Sequence, residues 1–128
     1  MTPPEIAHLR AVLAAPGSGS SDFDLNPDAA PPRGRVLKSA GVLVALQRGR
    51  VGLDVILTKR ATSLKHHPGQ IAFPGGRQDP GDTGPTDAAL REAEEEIGLP
   101  RTRPEILGLL PTHETVTTYL VTPVVALI

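Results

Sequence analysis

The 128-residue sequence contains no cysteine, no tryptophan, one tyrosine and two phenylalanines. Without cysteine there is neither a disulfide nor a thiolate metal site, and a reducing cytosol suits such a chain. So few aromatic residues argue against the stacking platforms that bind single-stranded nucleic acid. A surplus of one charge sign is missing as well. Thirteen basic and 14 acidic residues leave a formal net charge of -1 and a pI near 6.4, so bulk electrostatics point to neither nucleic acid nor an anionic membrane as partner. No apolar run is long enough to span a bilayer and no signal peptide is recognisable, which gives the expectation of a soluble, cytoplasmic protein.

The length suits one domain with a sizeable core. From Pro4 to Ala15, Ile6, Leu9, Val12 and Leu13 recur at helical spacing, and the segment is predicted to be a short amphipathic helix. Residues 16–34 are rich in Gly, Ser, Pro and Asp and read as a loop or linker, partly disordered, so that 1–34 is set apart from a main domain at 35–128. Val36–Leu46 and Val51–Thr58 are apolar runs joined by Gln47–Arg50, predicted as a hairpin. Ile71–Phe73 is a brief strand candidate, while Glu105–Thr112 and Val116–Ile128 read as two more strands. The apolar run at the end predicts that the chain is a fragment of a longer protein, because an apolar terminus would leave strand and core surface exposed.

The densest chemistry lies between Gly75 and Leu99. DAALREAEEEI consists almost wholly of good helix formers, Pro85 suits a first-turn position and Gly98 suits the position just past the end. At about 100° per residue, Ala89, Leu90, Ala93 and Ile97 form an apolar stripe, with Glu92, Glu95 and Glu96 crowded along its rim. Such crowding is unfavourable: like charges one turn apart cost about 0.2–0.5 kcal/mol a pair, and acids near a helix C-terminus oppose the dipole by about 0.3–1 kcal/mol. A divalent cation would remove both penalties, since hard ions such as Mg²⁺ take carboxylate and phosphate oxygens. The plainer reading is a solvated acidic face, with Arg91 offsetting Glu95.

Arg91-Glu92-Ala93-Glu94-Glu95-Glu96-Ile97-Gly98-Leu99, preceded by Gly75-Gly76, resembles the second half of the Nudix hydrolase signature at every position. Upstream the pattern departs: Thr83 stands where the signature has a glutamate, Asp79 and Asp82 are the nearest acids, and the interval from Gly76 to Arg91 is one residue longer. The resemblance implies an α+β fold, a Nudix-type mixed β-sheet sandwich with a loop-helix-loop site. It implies Mg²⁺ or Mn²⁺ held by Glu92, Glu95, Glu96 and the Gly76 carbonyl, with Arg91 orienting the glutamates and Glu95 or another glutamate of the box as general base. Glu114 is a second candidate base, weighed against an exposed acid in the loop between the last two strands.

Leu57-Thr58-Lys59-Arg60-Ala61, Lys65, Gly69 and Phe73-Pro74-Gly75-Gly76 resemble the additional signature of the coenzyme A diphosphatase branch, with Lys65 where arginine is usual. By itself, the cluster Lys59, Arg60, Lys65, His66 and His67 suits an anion, or else a solvated basic loop. Gly75 and Gly76 read first as a turn whose bare backbone can approach a phosphate or metal. With the resemblance, Lys59, Arg60, Lys65 and Gly75 become candidate substrate-binding residues, and the implied reaction is hydrolysis of the diphosphate bond of coenzyme A. The partner expected is thus a small molecule. The alternatives are a Nudix hydrolase of another nucleoside diphosphate derivative (ADP-ribose or a dinucleotide cofactor), a non-catalytic nucleotide-sensing domain, and a structural domain with a merely solvated acidic helix.

Overall fold

The structure is a computed structural model and describes residues 3–15, 17–25, 28, 34–59 and 69–128. Its spine is a pair of parallel neighbours, β2 (Lys38–Arg48) and β9 (Tyr119–Leu127), in register from Lys38 opposite Tyr119 to Leu46 opposite Leu127. Both are rich in Val, Leu and Ala, as expected for strands covered on two faces. The first described strand, β1 (Ser20–Ser21), pairs parallel to β8 (His113–Glu114), which in turn pairs antiparallel to β9. The inner end of β9 carries β7 (Glu105–Leu109), with a bulge between Ile106 and Gly108. On the other flank, β2 pairs antiparallel with β3 (Leu53–Val55) near its end and with β6 (Gly75–Arg77) near its start. A separate two-stranded sheet joins β4 (Thr58–Lys59) to β5 (Ile71–Ala72).

Alternation along β2 decides what covers each face. Leu43 and Ala45 join Val124 and Ala126 beneath helix α2 (Pro85–Ile97), against Ala89 and Ala93. Three fully buried alanines, Ala88, Ala89 and Ala93, let α2 approach closely. The approach is closest at Gly41, where a Cβ would fall on the carbonyl of Pro85. On the opposite face Leu46 and Val125 meet Leu107 and Ile6 of helix α1 (Pro4–Ala14). Fully burying a side chain such as Ile6 or Leu43 stabilises by about 1.5–3 kcal/mol, so two modest clusters hold two helices on one sheet. Helix α1 covers only the half of its face that carries Leu46 and Val125.

Both predicted helices are present, and α2 ends as expected: Gly98 is left-handed (φ 69°) and its N–H donates to the Glu94 carbonyl. The strands differ more. Of the run Val51–Thr58, only Leu53–Val55 pairs with β2; Thr58 turns away to β5. Gly75 and Gly76 lie in a strand, opposite Val42 and Gly41, and do not form a turn. The span Glu105–Thr112 stops at Leu109, and Val116–Ile128 begins as strand only at Tyr119, because a turn intervenes in which Thr118 has φ 77°.

The largest correction concerns residues 20–25 of the predicted linker; residues 16, 26–27 and 29–33 of that span lie outside the described residues. Ser20–Ser21 forms a strand and Asp22–Leu25 a 3₁₀ turn that is tied to the sheet. Ser20 Oγ and Asp22 Oδ1 each lie 2.7 Å from a ring nitrogen of His113, while Asp22 Oδ2 accepts the Val116 N–H at 2.8 Å. Composition alone reads such a segment as linker, since its pairing is made by polar side chains and not by an apolar stripe. Among the described residues no helix is long and apolar enough to cross a membrane.

Candidate active site

Helix α2 and strand β6 form the site's frame, and Arg91 is its centre. The guanidinium forms a two-pronged bond with Asp82, Nε to Oδ1 at 3.1 Å and Nη2 to Oδ2 at 3.0 Å. Nη2 also donates to the Arg77 carbonyl at 3.1 Å and lies 3.3 Å from Asp79 Oδ2. Nη1 faces the helix itself, donating to Glu92 Oε1 at 3.0 Å with Glu95 Oε1 at 3.6 Å. Arg91 thus joins the loop before α2, strand β6 and two of the three signature glutamates.

Charge follows this geometry. The Arg91 guanidinium beside Asp82, helped by the Asp79 N–H, holds the Asp82 carboxyl below its usual range. Asp82, and then Glu92, raise Arg91 above its ordinary value, so the cation is permanent. Asp82 is only 4% exposed at its side chain. Sequence reasoning named Asp82 and Asp79 merely as the nearest acids to the missing glutamate. The available signal was position, since Asp82 adjoins Thr83, where the signature carries that glutamate.

Glu92 is half-buried, and Gly76 explains its placement. A Cβ on Gly76 would stand 2.8 Å from the Glu92 carboxyl carbon and 2.9 Å from Oε1. Only a glycine leaves that space to the carboxylate. Glu95 and Glu96 are exposed on the same face of the last turns. Among the described residues no three acidic, histidine or cysteine side chains form a ready cage for an ion; Arg91 faces Glu92 and Glu95, while Glu96 borders a neighbouring cleft. The donor set nevertheless fits a hard divalent cation in kind, being all carboxylate and carbonyl oxygen beside a bare glycine backbone.

That cleft, of about 410 Å³, is lined by Thr58, Lys59, Gln70, Ala72, Phe73, Gly75 and Glu96. The structure therefore brings Lys59 and Gly75, both predicted to bind substrate, to the same cleft as Glu96. Arg60, Lys65, His66 and His67 lie outside the described residues. Glu114 is not the loop acid expected. It lies in β8, half-buried, with Arg35 Nη2 at 2.9 Å and the Ser21 hydroxyl donating to it at 3.1 Å, so its carboxylate is committed to holding Ser21 and Arg35 on the sheet.

The NUDIX domain matches residues 36–125. Relatives described as the uncharacterized Nudix hydrolase NudL, from Escherichia fergusonii and from an Enterobacter species, are 47% and 48% identical over 91 residues, which cover 71% of this chain and 47% of each relative. The chain thus spans about half the length of the curated relatives it matches. Among solved structures, the Nudix hydrolase RenU of M. smegmatis is 28% identical with a TM-score of 0.58, covering 78% of this chain and 65% of its own. The NUDIX domain of Shewanella oneidensis NrtR, solved with ADP ribose, is similar in fold at 17% identity and a TM-score of 0.52, over 84% of this chain and 69% of its own.

Proposed function

The chain belongs to the Nudix family, and from that premise we propose that it hydrolyses the diphosphate bond of coenzyme A and its derivatives, giving adenosine 3′,5′-bisphosphate and 4′-phosphopantetheine. The observation that carries the reading is the convergence of Lys59, Gly75 and Glu96 on one cleft beside the Arg91-held glutamates. That arrangement offers a cation for phosphate next to carboxylates for a metal. The coenzyme A assignment itself rests on the second signature, from Leu57 to Gly76.

Members of this family generally use divalent metal ions, and here Glu92, Glu95, Glu96 and the Gly76 carbonyl would hold Mg²⁺ or Mn²⁺. When bound, the ion supplies neutralisation of the diphosphate charge and a water of lowered pKa. The rest of the work belongs to the chain. Arg91 fixes Glu92 and Glu95 without itself changing protonation. Lys59 donates charge-assisted hydrogen bonds to a phosphate oxygen, and the same role is proposed for Arg60 and Lys65 on the strength of the second signature. Glu95, exposed at the edge of the group, takes the proton of the attacking water.

Incubation with coenzyme A and Mg²⁺ in ¹⁸O water, with products identified by mass spectrometry, tests this. The expected products are the two above, one of them carrying ¹⁸O, formed faster than products from ADP-ribose or a dinucleotide cofactor. Cleavage of those compounds with coenzyme A untouched would replace the substrate assignment. Tight nucleotide binding with no turnover in Mg²⁺ or Mn²⁺ would replace the enzyme by a sensing module.

A further inference from the structure

Outside the Arg91 site, the diphosphate reaction leaves one cluster of chemically capable side chains unused. His113 of β8 stands between Ser20 Oγ, 2.7 Å from one ring nitrogen (Nδ1), and Asp22 Oδ1, 2.7 Å from the other (Nε2). A carboxylate only accepts, so Nε2 carries the ring hydrogen, and in the neutral ring the Ser20 hydroxyl donates to Nδ1. Hydroxyl, base and orienting acid thus follow one another in the order that makes a weak nucleophile reactive. Ser20 and Asp22 precede residue 36, where the family match begins.

The acid is fixed from behind. Asp22 Oδ2 accepts the Val116 N–H at 2.8 Å, and that bond, followed by the one to His113, holds the carboxyl below its usual range. Arg35 lies 5.2 Å over the ring of the adjacent Phe23 and donates to the carbonyls of Thr115 at 3.1 Å and Val116 at 3.3 Å, which keeps the 3₁₀ turn against the sheet. The cluster is nevertheless open to a small molecule, with Ser20 exposed and the side chains of His113 and Asp22 37% and 42% exposed. Strand register sets an apolar wall beside it. Ser20 is opposite His113, His113 opposite Val121 and Val121 opposite Ala40, and residues so paired share one face of the sheet. Val121 and Ala40 line a cleft of about 400 Å³ together with Val42, Phe73 and Tyr119.

We propose that Ser20, His113 and Asp22 form a second catalytic site, a metal-independent esterase for small aryl esters. Ser20 Oγ attacks the ester carbonyl carbon while its proton passes to His113 Nδ1; the bond from that carbon to the phenol oxygen breaks, and the phenol leaves with the proton. Water then attacks the acyl-serine and gives a proton to Nδ1. The bond to Oγ breaks, the proton returns to Ser20, and a carboxylic acid departs. Asp22 is a positioning residue, holding the tautomer and balancing the imidazolium. The backbone beside Ser20 limits the substrate class. The Ser20 N–H is given to the Thr112 carbonyl and the Ser21 N–H to Asp24 Oδ2, so neither serves an oxyanion. Loss of one such donor costs about 10²–10³ in rate, which restricts turnover to esters whose leaving group is stable as an anion.

Two probes test this in EDTA, which silences a metal-dependent site: a fluorophosphonate, with the modified peptide identified by mass spectrometry, and 4-nitrophenyl acetate. The expected result is phosphonylation at Ser20, and nitrophenol release that falls at least about tenfold in Ser20→Ala. Asp22→Asn keeps an oxygen for the Val116 N–H but turns an amide N–H toward Nε2, which moves the ring hydrogen to Nδ1. Labelling should then fall by on the order of 10²-fold or more with the thermal midpoint nearly unchanged, a loss that a merely structural clamp would not produce. Because the chain has no cysteine, Ser20→Cys supplies a single thiol should Ser20→Ala not fold. Its alkylation by iodoacetamide should slow at least about tenfold when His113→Ala is added. Probe found on other residues with Ser20 unmodified, or equal labelling of the parent and Asp22→Asn, would overturn the proposal and leave the cluster a clamp for the N-terminal strand.

Discussion

Gly76→Ala separates folding from chemistry more sharply than any other single change. The added methyl would stand 2.8 Å from the carboxyl carbon of Glu92 and 2.9 Å from its Oε1, where ordinary contact begins near 3.4 Å. Glu92 must therefore retreat by about 0.6 Å or change rotamer, which costs about 1 kcal/mol or less because the obstacle is the end of a flexible side chain. The backbone of Gly76 is extended and paired with Gly41, so alanine introduces no conformational conflict there. Stability should thus change by under about 1 kcal/mol, with part of any loss offset by the lower entropy of an unfolded alanine. Catalysis should suffer more, because displacement of a catalytic group by about 1 Å can cost on the order of 10²-fold. Urea titration of both proteins gives the stability difference, and coenzyme A hydrolysis at saturating Mg²⁺ gives the rate. Turnover within twofold of the parent would refute the claim that Glu92 and the Gly76 backbone form one site. A collapse of the urea midpoint would refute the claim that the conflict is local.

Gly41→Ala should behave oppositely, since its methyl meets the Pro85 carbonyl group and lies 3.2 Å from the Ala89 nitrogen; backbone cannot rotate away, and a loss of about 3 kcal/mol or more in urea unfolding is expected. Glu96→Gln keeps shape and removes charge, so turnover should fall by several orders of magnitude with the thermal midpoint nearly unchanged; unaltered turnover at saturating Mg²⁺ would take Glu96 out of the metal site. Asp82 has a lowered folded-state pKa, so it contributes stability above the ordinary carboxylate range and loses that contribution as pH falls through its lowered value. The urea midpoint of the parent should therefore drop on acidification below about pH 4, and Asp82→Asn should show a shallower acid limb and a lower plateau at neutral pH.

How much was legible depended on whether a residue's role was local. Helix α2 could be read at both ends because Pro85, Gly98 and the helix-forming run between them act through local backbone preference. Ala89, Ala93, Leu90 and Ile97 follow the helical period and do pack on the sheet. The two-residue strands β1, β4, β5 and β8 carry too few side chains for any period, and they exist only through their partners. The role of Asp22 was hidden for a related reason: its ties to His113 and Val116 span more than 90 residues, whereas Asp and Ser in a glycine-rich stretch signal a loop. Glu114 looked like loop because the strand around it is short and ends in the Thr118 turn. The crowding of the glutamates left a metal site and a solvated acidic face both open, and only the signature around them favoured the first; their division between Arg91 and the Lys59 cleft required the fold.

The central claim is that the glutamates of α2 act together on a divalent ion. Titration of the 128-residue chain with Mn²⁺, followed by electron paramagnetic resonance of the free ion, measures it without any substrate. Saturable binding that weakens at least about tenfold in Glu92→Gln and in Glu96→Gln is the predicted result. Equal Mn²⁺ binding by the parent and by a variant lacking all three carboxylate charges, at Glu92, Glu95 and Glu96, would contradict it.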